Sequence, residues 1–425
     1  TVPGACGVRV PAIGPPPCGP PHPGVTGMNR NPMFDVVVVG GGPAGATAAT
    51  DLARAGRSVL LLDRDGRIKP CGGAIPPVLI EEFEIPDALL CAKVTSARMI
   101  SPSGRAVDMP IENGFVGMVD RDKFDEWLRR RAQSAGAERR TGSFDHTARD
   151  NDGVLVVHYR AEGADGASTM QAVRTRLLIG ADGANSAVAR EHIPGADKTP
   201  FVYAYHEIVK SPAPGKDFDP ARCDVYYRGL LSPDFYGWVF PHGGTTSVGT
   251  GTAHRGFSIR NATTQLRDCA GLAGSETVRR EGAPIPLRPL PRWDNGRDVL
   301  LAGDAAGVVA PASGEGIYYA MTGGRLAAEA ADTFLRTADV AALGLARKRF
   351  MRAHGRVFWI LGMMQKFWYK NDKRRERFVG ICKDKDVQRL TWESYMHKKL
   401  VRKRPLAHVR IFFKDLAHLL GIVAP

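Results

Sequence analysis

Three glycine-rich turns in this chain have the residue types and spacing that bind phosphate and ribose groups. The first runs from Gly40 to Gly45, between an apolar segment that ends at Val39 and an Ala-rich segment, residues 44–55. Its G-x-G-x-x-G spacing lets the backbone at a helix N-terminus approach a pyrophosphate. The sequence therefore predicts a strand, a tight turn and a helix that bind a dinucleotide.

An acidic residue after the next apolar run supports this prediction. The run Ser58–Leu62 ends in Asp63, 23 residues after Gly40. A carboxylate at that position can accept a hydrogen bond from a ribose hydroxyl. A glycine-rich turn alone often only starts a helix, but the strand, the helix and the acid together favour dinucleotide binding.

The other two turns each carry an aspartate after a short apolar run. Residues 177–179 lead into Gly180–Gly183, which contains Asp182, and residues 298–301 lead to Gly303 and Asp304. Both patterns are typical of buried strands that end at a ligand crevice. Either aspartate alone could simply form a turn, whereas the ordered set favours a shared ligand.

The three motifs together resemble the FAD-dependent superfamily built on the p-hydroxybenzoate hydroxylase fold. The resemblance implies an α/β chain: a Rossmann-like FAD-binding domain, an α+β substrate domain with an antiparallel sheet, and a helical C-terminal region. It also implies that Asp304 binds the ribityl or ribose part of FAD, that NADPH is the reductant, and that Arg121 reaches toward the flavin. The alternative for Arg121 is an exposed residue that caps a helix.

Glycines later in the chain extend the predicted cofactor site. Gly314 and Gly316 would let the backbone approach the flavin, and the segment 318–330 should form a helix pointing its N-terminus there. Glu315 between them could simply be favourable at a helix start. The cofactor-binding candidates are Gly40, Gly42, Ala44, Gly45, Asp63, Cys71, Gly72, Gly73, Arg121, Asp182, Gly183, Gly303, Asp304, Gly314 and Gly316.

Two further motifs narrow the resemblance to the geranylgeranyl reductase branch. They are the C-G-G segment Pro70–Ala74 and the Y-G-W-V-F-P segment Tyr236–Pro241. The late segment Ile381–Thr391, with Ser394 and Tyr395, resembles the photosynthetic subgroup. Its members saturate the geranylgeranyl group of chlorophyll, bacteriochlorophyll or the free diphosphate to phytyl. The resemblance covers about residues 33–400; one departure is Asp63, where the family more often has Glu.

The aromatic segment supplies the candidate substrate site. Tyr236, Trp238 and Phe240 alternate along a predicted strand, so they should share one face. Aromatic walls suit a prenyl chain, although these residues could instead belong to the core of the sheet. Cys71, Tyr236 and Trp238 are the catalytic candidates, and Cys71 could equally be a small buried hydrophobe.

The implied reaction is the saturation of three isolated double bonds. Because no carbonyl polarises such an alkene, it needs a hydride from reduced flavin, a proton, and a dry apolar slot that holds it. One alternative is an FAD-dependent aromatic monooxygenase of the same superfamily. Another is a non-enzymatic escort protein that binds prenyl groups.

The composition of the chain limits which classes of protein it could belong to. The 425 residues can bury a large core, and 44% of them are hydrophobic. No apolar run reaches the ~20 residues that span a bilayer. The seven cysteines form no C-x-x-C pair, so we expect no metal and a reducing cytosol. The first 27 residues contain eight prolines and six glycines, which predicts a disordered tail without a secretory signal.

The net charge of +14 is concentrated near the C-terminus. Residues 347–404 hold nineteen Lys/Arg against five Asp/Glu. No nucleic-acid fold signature accompanies them, so we expect no nucleic-acid partner. Apolar residues are interleaved in 357–368 and again in 409–420, which predicts either peripheral contact with an anionic membrane or packing on the core. The resemblance places such contact on the cytoplasmic side of a photosynthetic membrane; the oligomeric state stays open.

The predicted domains follow from these segments. Residues 1–32 form the tail. The FAD-binding domain comprises 33–92, 115–190 and 291–335, and the substrate domain 93–114 and 191–290. Residues 336–425 form the basic helical region. Strands are predicted near 94–100, 201–209, 224–227 and 237–250, with a helix over 127–135.

Overall fold

The computed structural model of the chain describes residues 33–398, except 65–67, 113, 163–166 and 216–217. The predicted tail and the second amphipathic segment, 409–420, lie outside the described residues. The predicted domain boundaries stay a prediction.

Within the described residues, the strands are short and mostly buried on at least one face. They are β1 Met33–Val39, β2 Val59–Asp63, β3 Ala74–Ile75, β4 Leu90–Val94, β5 Ser96–Ile100, β6 Ala106–Pro110, β7 Val116–Val119, β8 Glu138–Thr141, β9 Ser143–Arg149, β10 Leu155–Glu162, β11 Ser168–Gly180, β12 Phe201–Lys210, β13 Arg222–Tyr226, β14 Gly237–His242, β15 Thr245–Thr252, β16 Thr277–Pro286 and β17 Val299–Leu301.

The helices connect these strands and dominate the C-terminal part of the described chain. They are α1 Pro43–Arg54, α2 Pro77–Glu82, α3 Arg121–Ser134, α4 Ala187–His192, α5 Ile259–Cys269, α6 Ile317–Thr337, α7 Leu345–Trp368, α8 Asp372–Ile381 and α9 Lys385–His397. Single 3₁₀ turns cover Asp87–Leu89, Ala196–Lys198, Gly303–Ala306 and Val340–Gly344.

The first sheet carries the glycine-rich turns. Its order is β8-β2-β1-β11-β10-β9, and β17 pairs with β11. The five strands β8, β2, β1, β11 and β17 are parallel, and β10 and β9 continue the sheet antiparallel. The Val-rich β1 is buried on both faces, as parallel strands covered by helices are. The carboxyl ends of β1, β2, β11 and β17 therefore meet at one edge.

A close helix contact fixes the first turn against the late part of the chain. A Cβ built on Gly324 of α6 would lie 2.2 Å from the carbonyl oxygen of Ala44. Only glycine allows the two helices to approach this closely. The same packing holds Ala44 against Gly303, where an added Cβ would lie 2.6 Å from that of Ala44.

The second sheet has the order β16-β12-β15-β14-β13-β5-β6, and a third sheet pairs β3, β7 and β4. The second sheet is antiparallel as predicted, except that β13 and β5 are parallel. The strand predicted near 94–100 is confirmed as β5, Ser96–Ile100, except that Val94 ends β4 of the third sheet. The chain passes from β4 in the third sheet to β5 in the second around Thr95.

The basic segment 357–368 belongs to α7 and packs largely on the core. Phe358 and Trp368 are buried, whereas Trp359 and Met363 are 64% and 52% exposed. No helix among the described residues is both long enough and apolar enough to span a bilayer. Packing therefore explains most, but not all, of the apolar residues in this segment.

Candidate active site

A cavity of about 920 Å³ lies at the edge where the parallel strands end and continues beneath the second sheet. The turns after β1, β2 and β11 line one end. Aromatic residues of β14 and residues of α6, α7 and α9 line the other end. Ligands of open parallel sheets bind at such an edge.

The first turn is shaped for a close backbone approach. Gly40 has φ +106°, and a Cβ there would lie 2.3 Å from the carbonyl oxygen of Ala181. A Cβ on Gly45 would lie 1.8 Å from the Gly40 oxygen, whereas one on Gly42 would meet nothing within 4 Å. No described side chain caps α1, so its first N–H groups remain available to a phosphate.

Asp63 stands at the end of β2, as predicted, and is held by an arginine. Its Oδ2 lies 3.1 Å from Nη1 of Arg129, whose Nε donates to Glu126 at 3.0 Å. The hydrogen bonds of Arg139, with those of Arg129 and Arg130, lower the pKa of Glu126 to about 2. This charged network from α3 and β8 positions the carboxylate that faces the groove.

Asp182 lines the cavity and also caps α4. Its carboxylate accepts hydrogen bonds from Oγ of Ser186 at 2.5 Å and from the backbone N–H of Ala187 at 2.7 Å. Burial raises the pKa of Asp182 despite these bonds. The next residue, Gly183, has φ +88° and faces open space. In this arrangement both oxygens of Asp182 serve the local turn.

Asp304 lies beside the start of α6 and forms an ion pair with Lys69. Its side chain is only 7% exposed. Two of the predicted glycines shape the backbone here, because Gly303 has φ +64° and Gly314 has φ +66°. Gly316 is the N-terminal cap residue of α6, and no described side chain caps that helix.

The C-G-G turn lies between the groove and the aromatic strand. Gly73 has φ +73°, and its N–H donates to Sγ of Cys71 at 3.4 Å. A Cβ on Gly72 would lie 3.0 Å from the ring of Phe240. Arg121 is buried, so it is not the exposed capping residue of the alternative reading. It forms a bidentate pair with Asp125 at 2.7 Å and interacts with Cys71.

A histidine supports the C-G-G turn from behind. Nδ1 of His242 lies 2.9 Å from Oδ1 of Asp120, and Nε2 lies 3.1 Å from the carbonyl oxygen of Gly72. The hydrogen bond from His242 lowers the pKa of Asp120.

The thiol of Cys91 lies next to Asp120 and His242. The Cys91 sulfur, a carboxylate oxygen of Asp120 and a ring nitrogen of His242 lie within 4.8 Å of one another. Burial and Asp120 raise the pKa of the Cys91 thiol to about 12, and the thiol donates to the Met118 carbonyl at 3.2 Å. A protonated thiol is a poor metal ligand.

The three predicted aromatic residues share one wall of the cavity. Ring centroids are 6.1 Å apart between Tyr236 and Trp238 and 6.5 Å between Trp238 and Phe240. The hydroxyl of Tyr236 donates to the carbonyl of Ser313 at 2.5 Å, and Nε1 of Trp238 donates to Ser247 at 3.0 Å. These bonds orient the rings of Tyr236 and Trp238 and satisfy their polar atoms, so the three side chains present mainly apolar surface to the cavity.

The late part of the chain forms the facing wall. The residues of α7 and α9 that line the cavity include Val357, Ile360, Leu361, Met364, Leu390, Trp392 and Tyr395. The segment that resembles the photosynthetic subgroup therefore lies against the cavity. Glu315 and Lys398 form a buried ion pair at the same wall.

Comparisons with known proteins agree with this site. Residues 35–77 match the family described as FAD dependent oxidoreductase. The chain is 62% identical to the geranylgeranyl diphosphate reductase of Rhodobacter capsulatus over 92% of this chain and 99% of that protein. It is also 39% identical to the chloroplastic geranylgeranyl diphosphate reductase of Oryza sativa subsp. japonica, over 92% and 87% of the two chains.

The chain belongs to the geranylgeranyl reductase family. The resemblance drawn from its motifs is therefore confirmed.

Solved structures confirm the predicted fold class. A geranylgeranyl bacteriochlorophyll reductase-like protein from Thermoplasma acidophilum superposes with a TM-score of 0.74 at 21% identity, over 88% of this chain and 99% of that one. The flavin-dependent brominase Bmp2 superposes with a TM-score of 0.70 at 18% identity, over 92% and 100%. At these identities the likeness shows the fold alone, which is the p-hydroxybenzoate hydroxylase-like arrangement.

FAD fits the residues of this family member. The open position at Gly42, the uncapped start of α1 and the carboxylate of Asp63 provide room and partners for its pyrophosphate and ribose. Lys69, Arg129, Trp392 and Lys398 line the same cavity but were missed by the sequence analysis. Lys69 immediately precedes the C-G-G segment, so that motif could have drawn attention to it.

Proposed function

We propose that this protein is an FAD-dependent reductase that saturates the geranylgeranyl group of chlorophyll, bacteriochlorophyll or the free diphosphate to phytyl. The observation that carries the proposal is the single cavity that joins the glycine-rich turns to the aromatic wall. The 62% identity to a geranylgeranyl diphosphate reductase supports it independently.

The chain's own residues would bind and orient the alkene and exclude water from it. When bound and reduced, FAD supplies the hydride. The rings of Tyr236, Trp238 and Phe240 form an apolar face along which a prenyl chain can lie. The residues of α7 and α9 close the other side, so little water remains near the alkene. Gly72, in contact with Phe240, links the cofactor end to this wall.

The decisive experiment measures products from the FAD-loaded protein. The enzyme is reduced without oxygen and incubated with geranylgeranyl diphosphate or with geranylgeranylated pigment. Mass spectrometry should show products that gain one hydrogen pair per double bond. If neither substrate gains hydrogen, the proposal is wrong. Oxygen consumption in proportion to product would indicate the monooxygenase alternative, and a purified protein without flavin absorbance would indicate the escort.

We propose NADPH as the reductant, and this rests on the resemblance alone. The test is anaerobic bleaching of the flavin absorbance by NADPH, compared with NADH and with reduced ferredoxin. Faster bleaching by either of the other two donors would contradict it.

We also propose peripheral contact with an anionic membrane through α7. The exposed Trp359 and Met363 lie on one helical face with exposed Arg352, Arg356 and Lys366. Such a basic face with apolar side chains suits a bilayer interface. The protein should sediment with anionic vesicles, and salt or the W359S/M363S variant should release it. Equal sedimentation with neutral vesicles would contradict the charge-based contact.

A further inference from the structure

Glu315 is buried at the cavity wall, which its place between two glycines does not predict. Its side chain is 8% exposed, and that of its ion-pair partner Lys398 is 3% exposed. A carboxylate that merely favours a helix start would normally lie in solvent. Its burial beside α6 therefore calls for a different explanation.

One oxygen of the Glu315 carboxyl group has no hydrogen-bond partner among the described residues. Oε2 of Glu315 contacts Lys398, whereas the buried Oε1 has no hydrogen-bond partner. Among the described residues, Oε1 is the one buried carboxylate oxygen in that condition. The other carboxyl groups along the cavity have Arg129, Arg121, Ser186 or Lys69 as partners, and they are Asp63, Asp125, Asp182 and Asp304.

The surroundings of Glu315 are aromatic. Tyr318 and Tyr319 of α6, Tyr395 of α9 and Tyr236 of the aromatic wall all lie within its electrostatic reach. Nζ of Lys398 lies 3.8 Å from the ring centroid of Tyr395. The pKa of each of these tyrosines is raised by burial, so the rings stay neutral near pH 7.

The protonation of Glu315 is set mainly by burial and by Lys398. Burial raises the pKa of Glu315, and the charge and hydrogen bond of Lys398 act in the opposite direction. Burial also lowers the pKa of Lys398. His354 of α7 faces the same lysine, but burial and Lys398 lower its pKa to about 4, so it is neutral near pH 7.

We propose that Glu315 is the acid that protonates the alkene, with Lys398 as its positioning residue. This inference rests on the proposed function. The π bond breaks as its less substituted carbon takes the proton from the Glu315 carboxyl group. The more substituted carbon takes a hydride from reduced FAD, which is oxidised by two electrons. Glu315 is left as a carboxylate beside the Lys398 ammonium and regains a proton from solvent before the next reduction.

The geometry suits a proton from Glu315 and a hydride from reduced FAD. Glu315 lies between Gly314 and Gly316, the glycines predicted to face the flavin. The aromatic rings of the wall formed by Tyr236, Trp238 and Phe240 line the same cavity. Positive charge that develops on the more substituted carbon is stabilised by aromatic faces. General acids of this kind contribute about 10²- to 10⁴-fold in rate.

The test uses the FAD-loaded protein and follows one oxidation in the absence of oxygen. Dithionite reduces the flavin, geranylgeranyl diphosphate or geranylgeranylated pigment is added, and the return of flavin absorbance gives the rate. Glu315→Gln should retain FAD and substrate affinity, the latter measured by perturbation of the flavin spectrum. Its reoxidation should be slower by about 100-fold or more. Glu329→Gln, an exposed change on α6, the helix that follows Glu315, is the matched control.

A pH profile separates an acid from a structural residue. The rate needs protonated Glu315, so it should fall as pH rises through the pKa of that group. Because Lys398 lowers this pKa, Lys398→Met should move the fall to higher pH, and Glu315→Gln should abolish it. A wild-type rate in Glu315→Gln, or an unchanged profile in Lys398→Met, would overturn the inference. If the wild-type protein is not reoxidised by either substrate, the proposed function itself fails, and the inference falls with it.

Discussion

The two ends of the cavity are built by different means. At the cofactor end, glycines and paired charges dominate, and the glycines come from short continuous turns such as Gly40–Gly45. At the substrate end, aromatic and aliphatic side chains from β14, α7 and α9 converge from distant parts of the chain. The cofactor end depends on the conformation of the backbone, whereas the substrate end depends on the size and polarity of its side chains. Mutations should therefore separate cofactor binding from substrate binding.

The largest effect should come from the cofactor end, through Gly42→Val. The position has φ −76° and faces open space, so valine should be tolerated by the fold. Its side chain would occupy the room for the pyrophosphate, and we expect FAD affinity to fall by about 100-fold or more, which is ~3 kcal/mol. Flavin absorbance of the purified protein measures this.

The control for this change is Gly274→Val, an exposed loop glycine that also faces open space. It should leave both the melting temperature and the yellow colour unchanged. Flavin retained by Gly42→Val at the wild-type level would contradict the assignment of the first turn to the cofactor.

A smaller effect should come from the substrate end, through Phe240→Leu. The change keeps the wall apolar but removes the ring that faces Trp238 and covers Gly72. An aromatic contact is worth about 0.5–1.5 kcal/mol, so KM should rise by about 2- to 10-fold. FAD content should stay at the wild-type level.

Phe115→Leu, a half-buried ring away from the cavity, is the matched control and should leave KM unchanged. If Phe240→Leu lost FAD rather than substrate affinity, the two ends would not be separable.

The smallest effect should come from the support between the ends, through Asp120→Asn. The hydrogen bond of His242 lowers the pKa of Asp120, so this carboxylate stabilises the fold fully above its unfolded pKa, ordinarily 3.8. That stabilisation is lost as pH falls through the lower folded value. We expect a melting temperature about 2–4 °C lower near pH 7 and a difference that shrinks in acid below about pH 3.8.

Melting curves at several pH values measure this difference, with the exposed Asp87→Asn as the control. A difference that did not shrink in acid would mean that Asp120 acts through its shape rather than through its charge.

The cofactor end could largely be predicted from the sequence because its constraints are local. Gly40 needs a positive φ, Gly45 needs close contact with the same turn, and Asp63 ends the next strand. Each of these requirements acts within a few residues or at a fixed spacing. The parallel order of the strands then brings the separate turns to one edge.

The substrate end could be predicted only where residues lie on one strand. Alternation along β14 grouped Trp238 and Phe240, but nothing local indicates that Lys398 pairs with Glu315, 83 residues earlier. The charge of Lys398 belonged to a basic region whose side chains resemble an ordinary exposed helix.

The continuity of the cavity affects how a prenyl tail, which consists of repeated isoprene units, would be reduced. On the proposed function, the glycine turns would hold the flavin at one place, and successive double bonds would have to move to it along the aromatic rings. Isoprene units are alike, and an advance by one unit recreates the same fit. We expect repetition in the hydrocarbon itself, rather than a moving protein part, to make the successive steps equivalent.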